Sequence, residues 1–78
     1  MEDTFYDIYF RFLGNVKFKN LRKNLIIDLI DNQGNELKFK IIKIKKIILE
    51  LKPCDYDGEN IKVRFDIDEN NQEILILI

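Results

Sequence analysis

The sequence predicts an all-β fold: a small antiparallel barrel or sandwich of six or seven short strands, built as a single β domain over residues 1–78. Three observations lead there. Apolar and polar residues alternate with period two over several separate segments, the spacing of side chains on a strand with one buried face. Those segments are divided by short clusters of Gly, Asn and Asp, residues that make turns. Finally, 78 residues with 46% hydrophobic content, six Phe and three Tyr supply one core and little surplus, and a sheet this small hides its edges by closing or nearly closing.

In the first segment Tyr6, Ile8, Phe10 and Phe12 share one face while Asp7, Tyr9 and Arg11 share the other. Gly14-Asn15 permits a turn or bulge. Val16 and Phe18 then alternate with Lys17 and Lys19, and after residues 20–24 a third run places Leu25, Ile27 and Leu29 on one side. Asn32-Gln33-Gly34-Asn35 lies between two apolar runs and is the strongest hairpin signal, because Gly and Asn tolerate positive φ.

Residues 36–52 admit two readings. As strand, Leu37, Phe39 and Ile41 point one way, Ile42 and Ile44 take the opposite parity, and Ile47, Leu49 and Leu51 return to the first. Two parity flips imply a bulge near Ile41-Ile42 and a second bulge or turn near Lys45-Lys46. As helix, Leu37, Ile41, Ile44, Ile48 and Leu51 form a stripe ending before Pro53, which would make the fold α+β with one helix in residues 36–52. The strand reading is favoured, since Ile and Phe lose χ1 freedom in helices and the run has no Ala. Residues 53–60 read as a loop, and Ile61, Val63, Phe65 and Ile67 as an alternating strand. Residues 68–72 read as a turn, and residues 73–78 as a strand apolar on both faces, which needs burial on both or a second subunit. The expected core is Tyr6, Ile8, Phe10, Phe12, Leu25, Ile27, Leu37, Phe39, Val63, Phe65 and Ile67.

Missing residue types narrow the function. The chain has no His, Ser, Ala or Trp, one Thr (Thr4) and one Cys (Cys54). Ser-His-Asp and Cys-His catalysis each need a base that one chain cannot offer, and one Cys makes neither a structural zinc site nor an internal disulfide. The expectation is no catalytic residue, no cofactor, no metal and no enzyme activity. Residues 1–12 are acidic and every apolar run is broken by charge, so no signal peptide or membrane span is read and the expected location is the cytoplasm. Fourteen Ile, ten Lys and eight Asn are residues of AT-rich codons, pointing to an AT-rich bacterium or one of its phages.

Net charge is only −1, but it is unevenly distributed. In residues 17–52 ten Lys and Arg stand against Asp28, Asp31, Glu36 and Glu50, leaving +6, whereas residues 53–78 carry −5. Two surfaces follow. An acidic face of Asp55, Asp57, Glu59, Asp66, Asp68 and Glu69 would bind a host protein, itself a nucleic-acid binder whose basic channel this face enters, and a phage or mobile-element inhibitor or accessory protein would work this way. Alternatively, Lys17, Lys19, Lys38, Lys40, Lys43 and Lys45 would hold single-stranded nucleic acid, with Phe5 or Tyr9 as stacking surfaces. Protein–protein contact is the favoured reading because the chain is net acidic, and a homodimer through the C-terminal strand is also open.

Smaller signals have simpler explanations. Asp66-x-Asp68-x-Asn70-Asn71 opens with calcium-loop spacing, but Asn71 stands where Gly is needed and Leu77 where Glu is needed, so a hairpin turn is expected. Cys54 has Asp55 and Asp57 as neighbours, which disfavour its thiolate. The stretch Gly14-Asn15-Val16-Lys17-Phe18-Lys19-Asn20 resembles the Gly-Thr-Val-Lys-Trp-Phe-Asn opening of cold-shock domains, five-stranded barrels that bind nucleic acid. It covers seven residues, and that family's next motif, Lys-Gly-Phe-Gly-Phe, is absent. Arg22-Lys23 with Ile27-Asp28-Leu29 and Gly34 is similar to part of the PilZ barrels, which bind cyclic dinucleotides, but the Ser of their Asp-x-Ser-x-x-Gly motif is missing and the Gly falls one position late. Neither resemblance assigns a family.

Overall fold

The computed structural model describes residues 8–78. Six strands, β1 (Tyr9–Phe12), β2 (Ile26–Asp31), β3 (Glu36–Lys45), β4 (Ile48–Pro53), β5 (Ile61–Ile67) and β6 (Glu73–Leu77), form a closed barrel. Every pairing is antiparallel and joins sequence neighbours, except the seam where β1 meets β6. Residues 36–52 are therefore two strands and not a helix. Their register shifts between Ile41 and Lys43, and Lys46 turns the chain with φ of 55°. Both irregularities sit where the parity of the apolar residues flips.

The Asn32–Asn35 turn forms as read. Gly34 takes φ of 92°, and the Asp31 carboxylate accepts from the N–H groups of Gln33 and Asn35 at 2.9 and 2.8 Å. Val16 and Phe18 do not lie on a strand. Phe18–Asn20 is a single 3-10 turn, closed by Asn20 N–H donating to Lys17 O and Leu21 N–H to Phe18 O. Phe18 turns inward to stack on Phe65, ring centroids 4.2 Å apart, so its apolar character serves the end of the barrel.

Alternating strands define two rims. The upper rim holds the 13–25 connection, the Lys46-Ile47 turn and the 68–72 turn; the lower rim holds the Asn32–Asn35 turn and the 54–60 loop. Between them lies a core of Phe10, Ile27, Leu29, Phe39, Ile41, Leu49, Leu51, Val63 and Leu75. Each contributes about 1.5–3 kcal/mol by leaving water. Phe10 meets Phe39 edge-on at 6.0 Å. Two expected core residues are corrected: Ile8 is 40% exposed and Ile67 43% exposed, because they face the axis but sit at the ends of their strands. Phe12, Leu25, Leu37 and Phe65 are half-buried against the core, and Tyr6 lies outside the described residues.

Closure decides the fate of β6. Both its edges are taken, by β1 and by β5, so no hydrogen-bonding edge remains for a second copy to pair with. Leu75 and Leu77 pair with Phe65 and Val63 on the inward face, while Ile74 and Ile76 pair with Asp66 and Arg64 on the outward face. Ile74 is 8% exposed although it stands outside the core, flanked by Arg11 and Asp66; Ile78, beyond the strand, is 60% exposed. Among the described residues no helix is long and apolar enough to cross a membrane.

Candidate partner-binding surface

The acidic residues do not gather on one face. Asp55, Asp57 and Glu59 lie in the lower-rim loop, where Asp55 accepts from the Lys38 N–H at 3.2 Å. Asp66 is on the outer face of β5 beside Arg64 at 3.4 Å, and Asp68 and Glu69 are in the upper-rim turn. Asp68 caps that turn by accepting from Asn70 and Gln72 N–H at 2.8 and 2.9 Å, and pairs with Arg11 at 2.9 Å. This is the hairpin turn expected of the Asp66-x-Asp68 segment. The length of β5, about 20 Å at some 3.3 Å per residue, separates the two acidic groups.

The lysines are redistributed too. Lys17 and Lys19 belong to the upper-rim connection, and Lys38 is tied to Asp28 at 2.8 Å, whose hydrogen bond and charge hold the Lys38 ammonium above its ordinary pKa. Lys40, Lys43 and Lys45 point outward from β3 and gain company that the sequence order hides. Three cross-strand rows form on the outer surface. Lys40 stands opposite Lys52; Lys43, Glu50 and Lys62 line up across β3, β4 and β5; and Lys45, Ile48, Arg64, Ile76 and Tyr9 run from β3 around to β1. The Ile78 N–H donates to Lys62 O at 3.1 Å, which extends the middle row to the C-terminal isoleucine.

The bulge shapes this surface. Phe39 and Ile41 face the core, so period two without interruption would turn Lys43 and Lys45 inward as well; the register shift after Ile41 sends both outward. There, Lys43, Lys45, Ile48, Glu50 and Lys62 line a shallow hollow of about 210 Å³. Glu50 accepts from the Asn60 side-chain amide at 3.3 Å, and among the described residues no ion pair engages Lys43, Lys45 or Lys62.

Two other hollows are charge-compensated from within. The upper one, about 270 Å³ and lined by Arg11, Lys17 and Glu73 among others, has Arg11 bound to Asp68 and Glu73 accepting from Phe18 N–H at 2.8 Å. The lower one, about 350 Å³, contains the Lys38–Asp28 pair. Aromatic stacking sites are scarce near the cations. Tyr9 carries the Arg11 guanidinium 5.2 Å above its ring, Phe5 lies outside the described residues, and exposed Tyr56 sits in the acidic loop. Cys54 is exposed, and the described residues contain no group of three or more His, Cys, Asp and Glu side chains arranged to hold a metal.

Lys52, Lys62, Arg64 and the outward isoleucines of β4 and β6 were not grouped by sequence reasoning. Their parity was legible, but only the register sets them beside β3. No family model, curated protein or solved structure matches this chain.

Proposed function

We propose that the protein is a non-enzymatic binding module that recognises an acidic protein surface through the outer face of β3 to β6. The observation that carries this is the interleaving of two kinds of surface: Lys45, Ile48, Arg64 and Ile76 alternate in one cross-strand row, and in the next Lys43, Glu50 and Lys62 lead to Ile78, with no ion pair on Lys43, Lys45 or Lys62 among the described residues. Protein interfaces combine apolar and charged side chains on one surface. The cations supply steering toward an acidic partner despite a net charge of −1.

A second reading, nucleic-acid binding through Lys40, Lys43, Lys45, Lys52 and Lys62, is favoured by the same run of cations. Among the described residues the aromatic that adjoins these cations is Tyr9, whose ring already carries the Arg11 guanidinium. A photo-crosslinking amino acid placed at Ile78 or Lys62, with Gln33 on the lower rim as control, separates the two in lysate of the source cells. The expected result is nuclease-resistant crosslinking at 62 and 78 but not at 33, to Asp- and Glu-rich peptides identified by mass spectrometry, and lost in the Lys43→Glu/Lys45→Glu double variant. Crosslinks that vanish with nuclease would transfer the reading to nucleic acid, and equal crosslinking at Gln33 would end both.

A further inference from the structure

We infer that the hollow among Lys43, Lys45 and Lys62 is a phosphomonoester site, which receives the phosphate of a phosphorylated side chain on the partner. The inference rests on the reading of this face as a protein-binding surface and assigns one anchor within it.

Three features support it. First, the hollow exists because of a local break in the strand: the bulge after Ile41 turns two lysines out of the core-facing parity, and bulges recur where a strand re-aims side chains toward a ligand. Second, its charge fits a dianion. Lys43, Lys45 and Lys62 against Glu50 leave +2 in a depression of about 210 Å³, while a phosphorylated Ser, Thr or Tyr carries about −1.5 to −2 near neutral pH. A single carboxylate or a phosphodiester unit, each carrying one negative charge, would leave part of that charge unmatched. Third, the lysines are free to turn to a ligand. Among the described residues no ion pair engages them, and Glu50 is held by Asn60 rather than by either flanking lysine. Lys43 and Lys62 flank Glu50 from strands on either side of β4, about 10 Å apart at the backbone, and Lys45 stands beside Ile48 in the next row, so the three flexible stems can converge on one group in the hollow while Glu50 stays with Asn60.

The test uses the full chain with labelled lysine side chains, followed by NMR during titration with an acetylated, amidated Gly-Gly-phosphoserine-Gly-Gly peptide. The Glu peptide of the same length, inorganic phosphate and a twelve-nucleotide single strand are parallel arms. Saturable shifts are expected at Lys43, Lys45 and Lys62 and not at Lys23, with the phosphopeptide bound about tenfold more tightly than the Glu peptide. Lys43→Gln and Lys62→Gln should each weaken it about threefold to fivefold, and Lys23→Gln should leave it unchanged. Uniform, unsaturable shifts over all lysines would overturn the site. Inorganic phosphate bound more tightly than the peptide would make the free ion the ligand, and tighter oligonucleotide binding at the same lysines would make it nucleic acid; either overturns the proposal. Failure here with crosslinking at Ile78 intact removes the phosphate site alone, whereas a phosphopeptide site without any crosslinking removes the partner reading on which it stands.

Discussion

Arg11 and Asp68 are 57 residues apart in sequence and meet at 2.9 Å, fastening β1 to the turn between β5 and β6. The same Asp68 carboxylate accepts the Asn70 and Gln72 N–H groups, so one side chain shapes the turn and helps close the seam. Its pKa is held below the ordinary carboxylate value, first by the Gln72 N–H and then by Arg11, while Asp68 in turn raises that of Arg11.

Acid should therefore loosen both ends of the barrel. Asp31 is likewise held low, chiefly by the Asn35 N–H, in the lower-rim turn. A carboxylate whose folded pKa is depressed contributes stability that is fully present above its unfolded pKa of about 3.9 and is lost as pH falls through the folded value. Thermal unfolding from pH 7 to pH 2 should show wild type more stable than Asp68→Asn at neutral pH, with the gap closing below about pH 4. A gap that stays constant down to pH 2 would contradict the assignment.

Core and rim should respond very differently to truncation. Leu49 is fully buried, and Leu49→Ala should cost about 2–5 kcal/mol in urea unfolding without changing the m-value. Ile67→Ala, at a residue 43% exposed, should cost well under half of that. Equal losses would mean that the upper rim is packed as tightly as the core.

Two turn positions should give opposite signs. Gly34 has φ of 92°, where a Cβ is strained even though open space surrounds it, so Gly34→Ala should destabilise by about 1 kcal/mol. Lys46 already bears that strain at φ of 55°, and Lys46→Gly should stabilise by about 0.5–1 kcal/mol. Equilibrium unfolding of both variants tests the pair, and a loss at Lys46→Gly would show that its side chain holds the turn in another way.

Phe18 anchors the longest connection by stacking on Phe65 at an interplanar angle of 20° and by donating its N–H to Glu73. Phe18→Ala should cost about 1–2 kcal/mol, through lost area and stacking, and should speed amide exchange at Asn20 and Leu21 more than at Leu51. Unchanged exchange at those two amides would place the anchor elsewhere.

What the sequence made legible was face, and what it hid was height and neighbourhood. Period two assigned Phe10, Ile27, Phe39 and Val63 to the interior, and the parity flips at Ile41-Ile42 and Lys45-Lys46 marked the bulge and the turn. Alternation says nothing about distance from a rim, which is why Ile8 and Ile67 read as core and stand exposed. Phe18 has the spacing of a strand residue but works from a 3-10 turn, because stacking on Phe65 depends on a contact 47 residues away. Charge segments were equally legible and equally incomplete. The C-terminal third is acidic as a stretch, yet it sends Lys62 and Arg64 to the cationic face and divides its carboxylates among the two rims and the outer face of β5.

The seam has a kinetic meaning. Five of the six pairings join adjacent strands, whereas β1 to β6 must bring residues 9–11 against residues 74–76. Loop-closure entropy makes that pairing the slowest to find, and β1 has only four residues with which to hold it. A ring of hairpins with one weak joint should open there first, as a clasp does, leaving the rest of the sheet intact. The Leu77 amide, bonded to Ile8 O at 2.8 Å across the joint, should then exchange with solvent through this partial opening, well before the amides between β3 and β4 do so through global unfolding.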